Sequence, residues 1–129
     1  MIVTVTPIYA ALAALLLLLL SVRVVTMRHK LRAALGDKGD TMLERRIRVH
    51  GNFVEYAPIT LLLLLLVELQ GGPVWLLHAI GVSLLAGRCI HAYGVSQAQE
   101  NFKIRTTGMT LTFLALLAGA AANLVLTVL

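Results

Sequence analysis

An all-α integral membrane four-helix bundle is the fold this sequence predicts, on three observations. Hydrophobic residues fill 59% of the 129 positions and charged ones only 13%, with a mean hydropathy of +0.89. A water-soluble domain of this size needs far more polar surface. Apolar stretches at about residues 3–26, 45–69, 74–95 and 104–128 are each long enough to cross a hydrocarbon core ~30 Å thick. The polar residues are gathered mainly into the joints between them. The length allows a single domain covering residues 1–129. The single cysteine, Cys89, excludes an internal disulfide and reads as a small packing residue.

The first stretch contains an unbroken leucine run, Leu15 to Leu20, and ends near Thr26. It lacks the basic residues that precede a signal-peptide core, and no cleavage site leads into a polar domain, so it reads as a retained span. Arg23 near its inner end can snorkel to the interface. A polar loop follows from Arg28 to Asp40, with Gly36 to Asp40 as its turn-rich tip. Thr41-Met-Leu-Glu44 fits a capping box and predicts a helix start near Met42.

The second helix, running to about Leu69, would be roughly 40 Å long at ~1.5 Å per residue. That exceeds the hydrocarbon core, so its first turns stand among headgroups or beyond. Arg45, Arg46 and Arg48 sit near its N-terminus, where the macrodipole disfavours cations. Glu44, a lipid phosphate or a ligand is expected to compensate them. Pro58 removes a backbone donor and predicts a kink or accommodation by packing.

Gly71-Gly72-Pro73 predicts a tight turn into the third span, where Trp75 and His78 sit near the interface. The connection from Ser96 to Lys103 leads to the fourth span. Ser83-x-x-x-Gly87 and Ala115-x-x-x-Gly119 allow close helix approach, within the bundle or at an oligomer seam.

The net charge is +5. Seven of the 11 Lys and Arg are Arg28, Lys30, Arg32, Lys38, Arg45, Arg46 and Arg48. In a membrane chain this cluster reads as a cytoplasmic joint and excludes a nucleic-acid patch. The positive-inside rule then puts the first and third connections in the cytoplasm and both termini outside. Arg28, Arg32, Arg48, Asn52, Arg88, His91 and Arg105 all fall toward the cytoplasmic ends of their helices, and Glu55 is the deepest of the set.

Residues Glu44 to Pro58 carry the chemistry. At about 100° per residue, Asn52 lies roughly 40° from Arg48 and Glu55 roughly 20° from it on the other side. A cation, an amide and an anion on one stripe of a membrane helix are costly unless they face protein or a ligand. Two readings are open: an intramembrane salt-bridge network, or a binding site. Arginine forks suit carboxylates, a glutamate suits an ammonium, and an arginine beside sulfur favours thiolate. Glutathione has that inventory of groups, and other anionic peptides and lipid headgroups share parts of it. Arg88 lies within a span and is expected to pair with Glu55, Glu100 or a carbonyl. His50 lies roughly 160° from the Arg48 face and reads as structural. Arg105, close after Lys103, is either a headgroup anchor or a member of the site. Haem ligation by His50 and His91 has no supporting motif, and no metal site is predicted.

Arg-x-His-x-Asn-x-x-Glu-Tyr-x-Pro, at Arg48, His50, Asn52, Glu55, Tyr56 and Pro58, resembles the second-helix signature of the MAPEG family, the membrane-associated proteins in eicosanoid and glutathione metabolism. Arg88-x-x-His91 and Arg105 fall where that family has further polar residues. The resemblance covers essentially the whole chain and is closest to the short bacterial members, which implies the bacterial inner membrane. It implies a homotrimer with glutathione as co-substrate between neighbouring subunits, and a lipophilic small molecule arriving from the membrane lipid. Carried across, Arg48, Asn52, Glu55 and Tyr56 become glutathione contacts, with Arg88 and His91 on the third helix. Arg28 is the first-helix contact, with Arg32 competing. Arg105 matches the arginine that activates the thiol in catalytic members. Several members carry a tyrosine where Val95 stands here, and Tyr93 lies on a different face.

The expected function is therefore a glutathione-dependent membrane transferase or peroxidase acting on lipophilic electrophiles. The alternative is a non-catalytic protein that binds lipid or glutathione. A small multidrug transporter needs an acidic residue in its first span, and this first span has none.

Overall fold

The computed structural model describes residues 2–129. Four helices follow one another: α1 (Thr6–Leu31), α2 (Thr41–Leu69), α3 (Val74–Ser96) and α4 (Phe102–Val128). Each is long and apolar enough to cross a membrane, and among the described residues there is no strand. The short connections force neighbouring helices to run antiparallel. One end of the bundle thus carries the start of α1, the α2–α3 turn and the end of α4. The other, basic end carries the two charged connections.

Local chemistry moves two of the expected helix starts and ends. α1 continues through Leu31, taking Arg28, His29 and Lys30 into its last turn. Cations there complement the macrodipole, a gain that hydropathy does not register. Arg32 closes the helix in the left-handed region at φ 53°. The predicted capping box at Thr41 is replaced by a cap one residue earlier: Asp40 accepts from Leu43 N at 2.8 Å. Aspartate caps at least as well as threonine, so Thr41 becomes the first helical residue. α2 runs unbroken through Pro58. Asn101 caps α4 by accepting from Lys103 N at 3.0 Å.

α3 and α4 pack most closely. A Cβ added to Gly108 would run into the His91 backbone, and one added to Gly87 would press on Thr112 and the Gly108 carbonyl. Ser83 Oγ donates to Leu111 O at 2.7 Å. Ala115 is buried, and Gly119 rests on Leu63 of α2. Both small-residue pairs are therefore used inside the bundle. Water drives no such contact in lipid, and close backbone approach supplies dispersion and hydrogen bonds instead. α1 lies against α2 and α3 and away from α4. Its leucine run is divided between lipid and bundle: Leu15, Leu18 and Leu19 are exposed, as lipid contact requires, while Leu20 is buried in the core.

The end opposite the basic one is closed by Glu68, a residue whose role the sequence does not advertise. The N-cap of α1, Val5, has no side chain able to cap. Glu68 of α2 does this from across the bundle. Its Oε1 accepts from Thr4 N and Val5 N, and its Oε2 from Thr6 N, each at 2.7 Å. The orphan amides of a helix start and a buried carboxylate thus satisfy one another. Nearby, Tyr9 OH and His78 Nδ1 share a hydrogen bond at 2.8 Å, and Gly81 leaves room for the Tyr9 ring.

Candidate ligand site at the basic end

Arg48 and Glu55, two turns apart on α2, face outward together. Their side chains are 61% and 52% exposed, with Arg48 Nη1 3.8 Å from Glu55 Oε1. This pair is loose and half-solvated, the kind worth little as a structural bond. Among the described residues neither group has another ion-pair partner.

Asn52, between them, turns inward to Arg88. Arg88 lies 2% exposed between α2 and α4. Its Nη1 donates to Asn52 Oδ1 and to Asn52 O at 3.4 Å. Its Nε donates to Thr112 Oγ1 at 3.0 Å and its Nη2 to Met109 Sδ at 3.2 Å. Of the partners open to it in the sequence, Arg88 takes a carbonyl and the Asn52 amide, and neither glutamate. Neutral acceptors around a buried cation need less exact placement than a second buried charge, whose desolvation must also be offset. Arginine has no acceptor atom, so the Asn52 carboxamide is oriented with oxygen toward Arg88 and its NH2 away. Tyr56 packs here too, with Arg88 Cζ 5.7 Å from its ring centroid and Phe113 edge-on at 5.5 Å.

Arg105 reaches the site's mouth from α4. Its Nη1 donates to Glu100 Oε1 at 3.0 Å, while Arg45 Nη1 of α2 stands 3.4 Å from Glu100 Oε2. Burial acts to raise the Glu100 carboxyl, but the hydrogen bonds and charges of Arg105 and Arg45 outweigh it and hold the group below the ordinary carboxylate value. Arg45, Arg48 and Arg105, with Thr41, Glu44 and Val95, line a cleft of about 230 Å³. Ordinary small-molecule pockets begin near ~300 Å³.

The remaining expected contacts lie elsewhere. Arg28 donates to Gly36 O at 2.7 Å and Ala33 O at 3.3 Å, bracing the connection after α1. With Arg32 it lines a separate, larger cavity of about 480 Å³ that contains neither Arg48 nor Arg105. His91 is buried at 4% exposure against α4. His50 turns to α1, sharing a hydrogen bond with Ser21 Oγ at 3.1 Å. Cys89, expected to pack, is exposed, because its neighbour Arg88 takes the inward position on α3. Two residues whose place at the cleft sequence reasoning missed are Arg45, read there only as an uncompensated cation, and Glu100, read there only as a partner for Arg88. Their signal was present in the sequence: a lone acid in a short connection beside arginines on two helices.

The MAPEG family model matches residues 6–125. The chain belongs to the MAPEG family. The match takes in all of α1, α2 and α3 and most of α4. Among curated relatives of this MAPEG chain are the inner membrane protein YecN of Escherichia coli strain K12 and its counterpart in strain O6:H1. Each is 45% identical over 120 residues, covering 93% of this chain and 90% of the relative. The geometry gathers Arg45, Arg48 and Arg105 at one end of the bundle, with the Asn52 amide oriented by Arg88 and Glu55 farther along α2.

Proposed function

We propose that this chain is a glutathione-dependent membrane transferase or peroxidase that works on lipophilic electrophiles, as a homotrimer in the bacterial inner membrane. The first and third connections face the cytoplasm and both termini lie outside, as the distribution of Lys and Arg favours. One observation carries the reading: Arg48 and Glu55 stand exposed on a membrane-spanning helix with no strong partner. Charged groups at that depth need protein, water or a ligand. A neighbouring subunit and a zwitterionic peptide supply both. The small cleft of one chain fits this, since it is only part of a tripeptide site. The inner membrane relatives and the family's association with glutathione support the same assignment.

In this reading the Arg48 fork takes a carboxylate and Glu55 takes the ammonium. Asn52, its oxygen held by Arg88, donates its NH2. Tyr56 and the buried His91 line the inner side. Arg28 contributes from α1 of a neighbour. Arg105 stabilises the thiolate, lowering a thiol pKa that is ~8.5 when free. That sulfur then attacks the electrophilic carbon, forming a C–S bond as the leaving group departs.

A second reading, binding of glutathione or lipid without turnover, is favoured by two observations. Arg105 is already paired with Glu100, and Val95 lines the cleft where several family members have a tyrosine. Calorimetry of glutathione with the purified protein, followed by turnover of a generic aromatic electrophile, tests both. Binding with turnover is expected. Binding without turnover selects the second reading, and absence of binding overturns both for glutathione. Native mass spectrometry from detergent should show three chains, and a stable monomer that binds glutathione would remove the intersubunit site.

A further inference from the structure

Two arginines from different helices hold one carboxylate at the mouth of the cleft. Arg105 of α4 takes Glu100 Oε1 at 3.0 Å, and Arg45 of α2 stands 3.4 Å from Oε2. We propose that Arg45 and Arg105 together form a carboxylate-binding seat, and that Glu100 is its resident occupant, displaced when an anionic ligand enters.

Five features support this. The two guanidinium groups address separate oxygens of one carboxylate, the pattern by which arginines recognise a carboxylate ligand. Arg45 is braced independently, donating to Val95 O at 3.2 Å, so its half of the seat survives without Glu100. Both arginines line the cleft beside Arg48, so the seat opens onto the proposed site. Glu100 lies in the connection between α3 and α4, outside any helix. Among the described residues its carboxylate has no other partner, so it can leave without unwinding a helix. Arg105 is 47% exposed and therefore within reach of an incoming anion.

The seat selects for a ligand anion, the carboxylate of a free probe or, in the function proposed above, the thiolate that Arg105 faces, and makes its binding competitive with the chain's own carboxylate. Partly exposed ion pairs of this kind hold an occupant weakly, so removing Glu100 should tighten anion binding about two- to five-fold. Malonate is the probe for the seat alone. Glutathione is the second probe, and only that arm rests on the function proposed above. Calorimetry on the detergent-purified full chain compares wild type, Glu100→Gln, and Glu100→Gln with Arg45→Gln. Malonate and glutathione should each bind Glu100→Gln about two- to five-fold more tightly than wild type, and loss of Arg45 should cancel the gain. Equal malonate affinity in wild type and Glu100→Gln, no measurable malonate binding to Glu100→Gln, or a gain that survives Arg45→Gln would each overturn the seat. A malonate gain with no glutathione binding in any variant keeps the seat and overturns the glutathione reading. Should Glu100→Gln not fold, Arg45→Gln alone decides: malonate affinity should fall below wild type, and no fall overturns the proposal.

Discussion

Glu68 and Glu100, toward opposite ends of this bundle, are held differently. Glu68 is 6% exposed and receives three backbone amides at 2.7 Å. Those donors belong to a helix start and have no other use. Glu100 is held by two arginine side chains at 3.0 and 3.4 Å, one of them half-exposed. Arg48 and Glu55, beside it, scarcely hold each other. Where donors and acceptors are matched and buried, the charge serves the fold. Where charged groups stay open in a membrane protein, water, a headgroup, further protein or a ligand is left to meet them.

The largest expected effect lies between the two ends. Arg88→Ala should cost about 3–5 kcal/mol, because it empties a buried site and strands the Asn52 oxygen and Thr112. Thermal unfolding in detergent measures it, and a loss below ~1 kcal/mol would mean the network is not structural. Glu68→Ala should follow, at about 2–3 kcal/mol, since it leaves the first amides of α1 without an acceptor. Glutathione affinity of the folded variant should not change. A drop in affinity with intact stability would reverse the contrast between the ends.

Glu55→Gln should do the opposite. Glutathione binding should weaken by roughly 1.5–3 kcal/mol, the scale of a hydrogen bond to a charged group. Stability should move by less than ~1 kcal/mol, because the Arg48 pair is exposed. Equal affinity in calorimetry would return the Arg48–Glu55 stripe to a structural role. Arg105→Ala should lower turnover and raise the bound thiol's pKa, with a smaller loss of affinity. Thiolate absorbance titrated against pH reads this directly. An unchanged thiol pKa with intact turnover would leave Arg105 as a headgroup anchor.

The smallest effect is that of pH on Glu100, faced by Arg45 from α2 and Arg105 from α4. Its carboxyl is depressed in the folded chain. Its contribution is therefore complete above the ordinary carboxylate value and is lost as pH falls through the folded one. Solvent screening keeps it below ~1 kcal/mol. Wild type should lose stability relative to Glu100→Gln only in acid, and an identical acid response in the two proteins would show that the bridge contributes nothing.

The four spans, the basic clustering and the helical spacing of Arg48, Asn52 and Glu55 were determined by sequence alone, but the structure splits that stripe: Arg48 and Glu55 face outward and Asn52 turns in to Arg88. Hydropathy and the 3.6-residue period are local properties, and both operate within a single helix. The motif from Arg48 to Pro58 carried the family for the same reason: all its residues lie on one element. Tertiary structure decided the rest. Glu68 meets Thr4 to Thr6, Arg88 meets Asn52 and Thr112, and Glu100 meets Arg45 and Arg105 across different helices. No periodicity links such positions. Each pairing depends on helix rotation and depth, which the glycine contacts between α3 and α4 set by letting the backbones approach. The sequence shows which charges are present in the membrane. Only the packed bundle distinguishes the carboxylate sealed against a helix start from the one held by side chains at an open cleft.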